Sequence, residues 1–248
     1  MAFKKITEFF VQFIFISLLV SIPFNVFAQM SGTPWQQVQE SGEGEITALY
    51  YPEDGFAYEN ENGTLTGVEI EIFKQFVNFV QNKYDVSLNV TYQAESDFSK
   101  LYKNVKTATN GVFGLANVTI TEPRKQEVQF SPRYLTNIAV LTSHSSIPTL
   151  DDLSQLTTVF NNMTALAFRG TMHEERIKQL KESYYPSLEI DMVDSGEELI
   201  NMVSDNPTYF GYVDLTVYWL ATQENKPIKR HPAGDDAAER FGFIMPTD

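Results

Sequence analysis

The sequence has no cysteine and only three histidines in 248 residues. The absence of cysteine excludes disulfides, thiolate metal sites, a cysteine nucleophile and a lipidated N-terminal cysteine. The histidines, His144, His173 and His231, lie more than five positions apart, so no short-spaced histidine metal motif is present. We therefore expect neither a metal site nor a cofactor.

Positive charge is also scarce. The chain carries 18 Lys+Arg against 32 Asp+Glu, a formal net charge of −14 at pH 7. A negative field of this size disfavours nucleic acid and anionic membranes as partners. Hydrophobic residues make up 43% and charged residues 20%, which is typical of a globular protein rather than a disordered one. We expect a folded monomer with no nucleic-acid partner.

Long apolar runs are missing except at the N-terminus. Lys4 and Lys5 precede an apolar run over residues 9–22, which is shorter than the roughly 20 residues that span a bilayer. Val26 and Ala28 then place small residues before a cleavage point. This pattern predicts a secretory signal peptide over residues 1–28 and a mature protein in a bacterial periplasm. The alternative is an uncleaved membrane anchor.

The rest of the chain alternates strands and helices after a polar segment, residues 29–43, which we interpret as a loose tail. Apolar residues recur every three or four positions from Val68 to Val80, which predicts a helix, and residues 86–92 alternate as a half-buried strand does. The alternation of predicted strands and helices begins again after Pro148. Repeated strand–helix units predict an α/β fold with mostly parallel sheets covered by helices, and the restart indicates two lobes.

Three separated segments offer polar groups where a predicted strand ends. In the first, Thr119 and Thr121 precede Arg124, whose planar guanidinium can hold a carboxylate through two parallel hydrogen bonds. A capped helix start with a surface arginine is the alternative interpretation.

The other two segments are shorter. Gly170-Thr171 opens a predicted helix, and exposed N–H groups at a helix start bind anions. Asp214 ends a predicted strand, where it can take an ammonium group or simply cap the next helix. Open α/β sheets bind ligands at the carboxyl ends of their strands. Two anion-binding segments and one acid together suit a zwitterion.

These segments occur in an order that resembles the bacterial extracellular solute-binding protein family 3, the type II periplasmic binding proteins of polar amino-acid uptake. The resemblance covers about residues 44–248. It rests on Phe56-Ala57-Tyr58, Gly63-Thr64-Leu65-Thr66-Gly67-Val68-Glu69-Ile70-Glu71-Ile72-Phe73, Thr119-Ile120-Thr121-Glu122-Pro123-Arg124, Val128-Gln129-Phe130-Ser131-Pro132-Arg133-Tyr134, Gly170-Thr171 and Val213-Asp214.

The resemblance implies a type II periplasmic-binding fold with a ligand cleft between its lobes. Lobe 1 would comprise residues 44–140 plus 240–248 and lobe 2 residues 141–239, with crossings near 140–142 and 241–244. It also implies a binding protein, not an enzyme, that delivers its ligand to an ABC-type permease of the inner membrane.

The resemblance also implies roles for individual residues. Arg124 would hold the α-carboxylate of an amino acid, helped by Thr119 and the Gly170-Thr171 helix start. Asp214 would hold the α-amino group.

Further ligand contacts follow from the same resemblance. The Asn117 carbonyl and the Thr119 hydroxyl would be additional acceptors for the amino group. Phe56 would pack on the ligand from lobe 1.

The chain departs from the family at three places. Tyr209 stands where many members have an aspartate, and Pro52-Glu53-Asp54-Gly55 replaces a Pro-Pro pair. Members also continue beyond the equivalent of Asp248 through a last strand and helix, so we expect either a truncated chain or a lobe 1 that is completed differently.

The sequence leaves two other functions open. The first is a periplasmic sensor or accessory binding protein without a permease. The second is a dehydratase-like enzyme, which would need a carboxylic acid with a raised pKa over the ligand. Glu53 and Asp54 are the only acids near the mouth of lobe 1, and nothing in the sequence marks either as perturbed.

Overall fold

The computed structural model describes residues 30–247, so the predicted signal peptide lies outside the described residues. The helices are α1 (Trp35–Ser41), α2 (Val68–Tyr84), α3 (Phe98–Lys106), α4 (Glu122–Lys125), α5 (Leu156–Val159), α6 (Met172–Ser183), α7 (Gly196–Asp205) and α8 (Leu215–Gln223). The strands are β1 (Glu43–Tyr50), β2 (Tyr58–Glu59), β3 (Leu65–Thr66), β4 (Ser87–Ala94), β5 (Val112–Leu115), β6 (Gln129–Phe130), β7 (Leu135–His144), β8 (Thr164–Phe168), β9 (Glu189–Val193), β10 (Tyr209–Asp214), β11 (Ile228–Arg230), β12 (Asp236–Phe241) and β13 (Ile244–Met245). No helix within residues 30–247 is long and apolar enough to cross a membrane.

The first sheet has the order β4-β1-β5-β13-β6. Strand β1 runs parallel to β4 and β5, and β13 runs antiparallel to β5 and β6. Helix α2 covers one face because Ile70, Phe73 and Val77, spaced three and four apart, are all buried. The Phe73 ring meets Phe113 and Phe243 at centroid distances of 5.0 and 5.7 Å. This packing forms the core of lobe 1.

The second sheet has the order β11-β7-β10-β8-β9, with β12 also paired to β7. Strands β8, β9 and β10 are parallel, and β7 runs antiparallel to β10, β11 and β12. Its core includes stacked Phe160 and Phe210 rings 4.2 Å apart, together with Leu141 and Ile177. The predicted α/β fold with two helix-flanked sheets is confirmed. Each sheet is mixed, because only the strands joined by a crossover helix run parallel.

The predicted loose tail is wrong in part, since residues 35–41 form α1. Val38 anchors this helix by burying its side chain, and the Trp35 ring meets Tyr84 edge-on at 5.0 Å. Gly42 ends the helix in the left-handed conformation, with φ 78°. Burial of one apolar side chain against lobe 1 thus orders a segment whose composition is mostly polar.

The two lobes are joined by a pair of antiparallel strands, β7 and β12. Leu135 pairs with Phe241 at one end and Ala139 with Asp236 at the other, with a bulge between Asp236 and Glu239. The predicted lobe boundary at residue 140 falls inside β7. The strands place the crossings at residues 131–134 and 242–243 instead, because β7 belongs to the second sheet along its whole length.

The lobes touch across the space between them. The Tyr51 hydroxyl of lobe 1 donates a hydrogen bond to the Asp194 carbonyl of lobe 2, at 2.9 Å. The Tyr51 ring also lies 6.2 Å from Phe98 and 5.9 Å from Phe168, and one buried apolar cluster runs through both lobes. The structure is therefore a closed clamp.

Candidate functional site

Arg124 lies on the lobe 1 side of the cleft. The Thr121 hydroxyl caps the short helix α4 by accepting from the Arg124 amide at 3.3 Å. The guanidinium donates to the Thr119 carbonyl at 3.2 Å and lies between the rings of Phe98 and Tyr102, 5.9 and 5.5 Å from their centroids. Burial lowers the pKa of Arg124 from its ordinary value. Within residues 30–247 this guanidinium forms no ion pair, so it faces the cleft as an uncompensated cation.

The lobe 2 side of the cleft is the start of α6. Thr171 caps the helix by accepting from the His173 amide at 3.2 Å, and the Gly170 amide donates to Glu174 Oε2 at 2.7 Å. Gly170 has φ 75°, and a Cβ there would approach Ser99 Oγ of lobe 1 to 2.1 Å. Its carbonyl accepts from Arg124 Nη2 at 3.3 Å. Glycine is thus needed here both for the turn and for the close approach of the lobes.

Asp214 ends β10 and is buried. It occupies the N-cap position of α8 but makes no capping hydrogen bond, so the helix-cap interpretation is wrong. Its Oδ2 accepts from Asn117 Nδ2 at 2.7 Å, and its Oδ1 accepts from Asn137 Nδ2 at 2.6 Å and lies 3.1 Å from His173 Nε2. The carboxylate therefore points into the space between the lobes, where it binds side chains from both of them.

Glu239 is a second buried acid at the site, and sequence reasoning missed it. It lies on the hinge strand β12 and is 2% exposed. Its carboxylate accepts from Thr119 Oγ1 at 3.0 Å and Asn137 Nδ2 at 2.7 Å, and pairs with Arg176 Nη1 at 2.9 Å. The Thr119 hydroxyl therefore already donates its proton in a hydrogen bond to Glu239. No sequence signal distinguishes Glu239, because the hinge pairing that buries it comes from a strand about a hundred residues away.

The structure brings most of the predicted site residues to one cavity between the lobes. Asn117, Thr119, Arg124, Thr171 and Asp214 line it, and Gly170 contributes its carbonyl beside them. Its volume is about 20 Å³, which holds roughly one water molecule. An amino acid can therefore enter only after the lobes separate.

Phe56 is the exception among the predicted ligand contacts. It is 2% exposed, lies behind Phe241 with ring centroids 6.1 Å apart, and is not among the cavity-lining residues. Phe241, on the hinge strand, lines the cavity instead. A ligand in this cavity would therefore contact Phe241 and not Phe56, contrary to the prediction.

Asn117 connects three acidic side chains. Its backbone, held at φ 39°, donates to Glu69 Oε1 at 2.7 Å. Its side-chain Nδ2 donates to Glu53 Oε2 at 3.0 Å as well as to Asp214. The Tyr134 hydroxyl also donates to Glu69. These contacts gather Glu53 and Glu69 of lobe 1 and Asp214 of lobe 2 around one asparagine.

Two of these acids have perturbed acidity. Burial raises the pKa of Glu53 well above its ordinary value, and the charges of Asp214 and Glu69 raise it further. Burial also raises the pKa of Glu69, to about 7. The sequence-based view that nothing marks Glu53 as perturbed is therefore wrong, because the neighbours responsible are distant in the sequence.

The raised pKa of Glu69 predicts that stability falls as pH rises. The folded protein keeps a proton on Glu69 that the unfolded chain loses above pH 4.5, so unfolding becomes easier between pH 4.5 and about 7. We expect a loss on the order of 2–3 kcal/mol across this window, measured by urea unfolding at pH 5 and pH 7.5. Glu69→Gln, which cannot ionise, should flatten the change.

Glu71→Gln, an exposed position on the same helix, serves as the control and should behave like the unsubstituted protein. Equal stability of the unsubstituted protein at pH 5 and pH 7.5 would contradict the assignment.

Two helix-flanked sheets, joined by paired hinge strands and closed over an acid and an uncompensated arginine, define the class of clamp-like small-molecule binding proteins. The family model of the bacterial extracellular solute-binding proteins, family 3, matches residues 47–210. The chain belongs to this family and is a solute-binding protein.

Solved structures show the same fold. An ancestral arginine-binding protein bound to arginine superposes with a TM-score of 0.68 at 17% identity, covering 82% of this chain and 84% of that one. The arginine-, lysine-, histidine-binding protein ArtJ from Geobacillus stearothermophilus gives 0.63 at 16% identity, covering 82% and 83%. Identities this low establish the fold, which confirms the type II architecture.

Curated relatives of this chain are named as transglycosylases. The membrane-bound lytic murein transglycosylase F of Pseudomonas fluorescens (strain Pf0-1) is 25% identical over 186 residues, which cover 73% of this chain and 34% of the relative. The chain thus spans about a third of that relative's length.

Proposed function

We propose that this protein captures a polar amino acid or a similar small zwitterion in its interlobe cleft, in the periplasm, and delivers it to an ABC-type permease. The ligand carboxylate binds Arg124 and the start of α6, and the ligand ammonium binds Asp214. Because these groups lie on both lobes, the ligand holds the clamp shut, and the closed form is what the permease recognises. The ligand leaves unchanged.

The observation that carries the proposal is the pairing of opposite charges across one cavity. Arg124 has no ion-pair partner within the described part of the chain, while Asp214 accepts only from side chains that a ligand ammonium can replace or join. A partly buried cation without a counter-ion is costly. A ligand carboxylate supplies that counter-ion.

The first test is a thermal-shift screen of the twenty amino acids. A ligand that binds only the folded protein raises its melting temperature by mass action. We expect at least one polar amino acid to do so, and mass spectrometry to recover that amino acid unchanged after incubation. No shift with any of the twenty would contradict the amino-acid assignment.

Asp214→Asn tests the ammonium contact. The substitution keeps the shape of the side chain and removes its charge, so we expect it to weaken the amino acid from the screen by on the order of 2–5 kcal/mol. The des-amino analogue, which has no ammonium group, should lose far less. Calorimetric titration of both ligands measures the difference.

The matched control is Asp191→Asn, an exposed aspartate of lobe 2, which should leave both affinities unchanged. Equal losses for the amino acid and its des-amino analogue in Asp214→Asn would assign Asp214 a structural role only.

A second function, a sensor or accessory binding module, is favoured by one observation. The relatives named as transglycosylases match this chain over only about a third of their own length. A domain of this kind therefore also occurs as one part of longer proteins. Co-purification separates the two functions, because a transport protein should bind membranes that contain its permease only when ligand is present.

The raised pKa of Glu53 supplies the acid that a dehydratase would need. Recovery of a chemically altered ligand in the incubation above would favour this enzyme function over binding alone.

A further inference from the structure

A second and larger cavity lies between the lobes, beside the cleft. Its volume is about 570 Å³, within the range of small-molecule sites. The loop after β1 forms one wall, and the start of α7 and the end of α8 form the other. Tyr51 separates this cavity from the cleft, because its ring packs on Phe98 and Phe168, which line the cleft. We call this space the acidic cavity.

The walls of the acidic cavity carry negative charge and aromatic rings. Five carboxylates line it, against a single lysine, and three tyrosines complete the wall: Glu53, Asp54, Glu59, Glu197, Glu224, Lys226, Tyr50, Tyr51 and Tyr58. The lysine, Lys226, already pairs with Glu224 at 3.1 Å. Carboxylates and tyrosine faces both attract cations. The cavity therefore suits a positively charged group.

Glu53 connects the acidic cavity to the cleft. One oxygen, Oε2, accepts from Asn117, which lines the cleft, while Oε1 lies near Gly196, on the opposite wall of the acidic cavity. No cation pairs with Glu53 among the described residues. A ligand that begins at Asp214 and continues past Asn117 thus meets Glu53 next.

The acids behind Glu53 are also short of a counter-charge. Glu69 is fully buried, and its Oε2 has no hydrogen-bond partner within residues 30–247. Burial without a cation disfavours the ionised form of such carboxyl groups. A cation arriving beside Glu53 would supply the missing counter-charge and favour ionisation of its carboxyl.

We propose that the acidic cavity binds a cationic side chain of the ligand, so that the protein selects amino acids carrying a second positive charge. The inference rests on the proposed function, because it takes the amino-acid end of the ligand to lie between Arg124 and Asp214. Glu53 is the specificity-determining residue, and Tyr51 flanks the cation. The side chain enters the acidic cavity while the lobes are apart and is enclosed when they close.

Ligand capture then releases a proton. In the closed protein without ligand, burial and the neighbouring acids keep a proton on Glu53. A cation placed beside its carboxyl favours the ionised form, and the proton leaves to solvent. The charged side chains that face Glu53 and raise its pKa are Asp54, Glu69 and Asp214, and all three are acids. A ligand cation would therefore bring the positive charge that these neighbours lack.

The test compares two pairs of probes that differ in side-chain charge. L-arginine is compared with L-citrulline, and L-lysine with L-norleucine, by calorimetric titration. We expect at least one cationic probe to bind at least about tenfold more tightly than its neutral partner. Its measured enthalpy should vary with the ionisation enthalpy of the buffer, which reports proton release, and that of the neutral partner should not.

Glu53→Gln should bring the ratio of affinities close to one while leaving the neutral probe unchanged, and should remove the buffer dependence. Glu43→Gln, an exposed glutamate on β1, removes the same charge from lobe 1 and should change neither.

The outcomes separate the two proposals. Equal affinities within each pair, with binding abolished by Arg124→Ala, would overturn the cationic selectivity and leave the amino-acid proposal standing. A charge preference that survives Glu53→Gln would overturn the assignment to the acidic cavity. Failure of all four probes and of the twenty-amino-acid screen would overturn both proposals.

Discussion

Arg124→Ala is expected to weaken binding of the amino acid from the screen by roughly 30-fold to several thousand-fold, the equivalent of about 2–5 kcal/mol. The guanidinium is the cation of the cleft that has no ion-pair partner within residues 30–247, so its loss leaves the ligand carboxylate desolvated and unpaired. Calorimetric titration measures the change. The fold should survive, because within residues 30–247 the Arg124 guanidinium donates hydrogen bonds to two backbone carbonyls and pairs with no acid.

Two further variants sharpen this prediction. Arg124→Lys should not restore binding, since an ammonium cannot reproduce the planar fork that holds a carboxylate through two bonds. Arg133→Ala removes an exposed arginine near the hinge and should leave affinity unchanged. Near-native affinity in Arg124→Ala would remove the carboxylate assignment and most of the case for an amino-acid ligand.

Arg176→Met is expected to lower the free energy of unfolding by about 3–5 kcal/mol. Arg176 is buried on α6, where it pairs with Glu239 at 2.9 Å and with Asp236 at 2.8 Å, so it ties lobe 2 to the hinge strand. Its removal leaves Glu239 buried with only neutral donors. Such a loss is a large share of a typical domain's 5–15 kcal/mol. Urea unfolding at constant pH measures it.

A double-mutant cycle assigns the loss to the ion pair. Arg176→Met combined with Glu239→Gln should be less destabilised than the sum of the two single substitutions, because the uncompensated charge is gone. Lys178→Met, an exposed residue of the same helix that pairs with Glu174 and Glu175, should cost less than about 1 kcal/mol. Additive single effects, or a stability of Arg176→Met within about 1 kcal/mol of the unsubstituted protein, would contradict the role of this pair.

Local sequence was enough to predict the elements that carry the site. The spacing of apolar residues from Val68 to Val80 predicted α2, and Asp214 was placed correctly at the end of a strand. The Thr119–Arg124 block follows β5, as predicted, but that strand already ends at Leu115. These features depend on periodicity and on neighbours a few residues away, which a sequence displays directly. The same kind of evidence left α1 unseen, because a single buried valine makes a weak pattern.

Tertiary structure alone decided the chemistry around those residues. Asn117 meets Glu53 and Asp214 across 64 and 97 positions of sequence, and Thr119 meets Glu239 across 120. The acidity of Glu53, the burial of Glu239 and the displacement of Phe56 by Phe241 all follow from such contacts. A carboxyl's pKa depends on the charges and solvent within a few ångströms of it. Hinge strands set those distances, and their pairing, unlike the periodicity of a helix, leaves no local mark in the sequence.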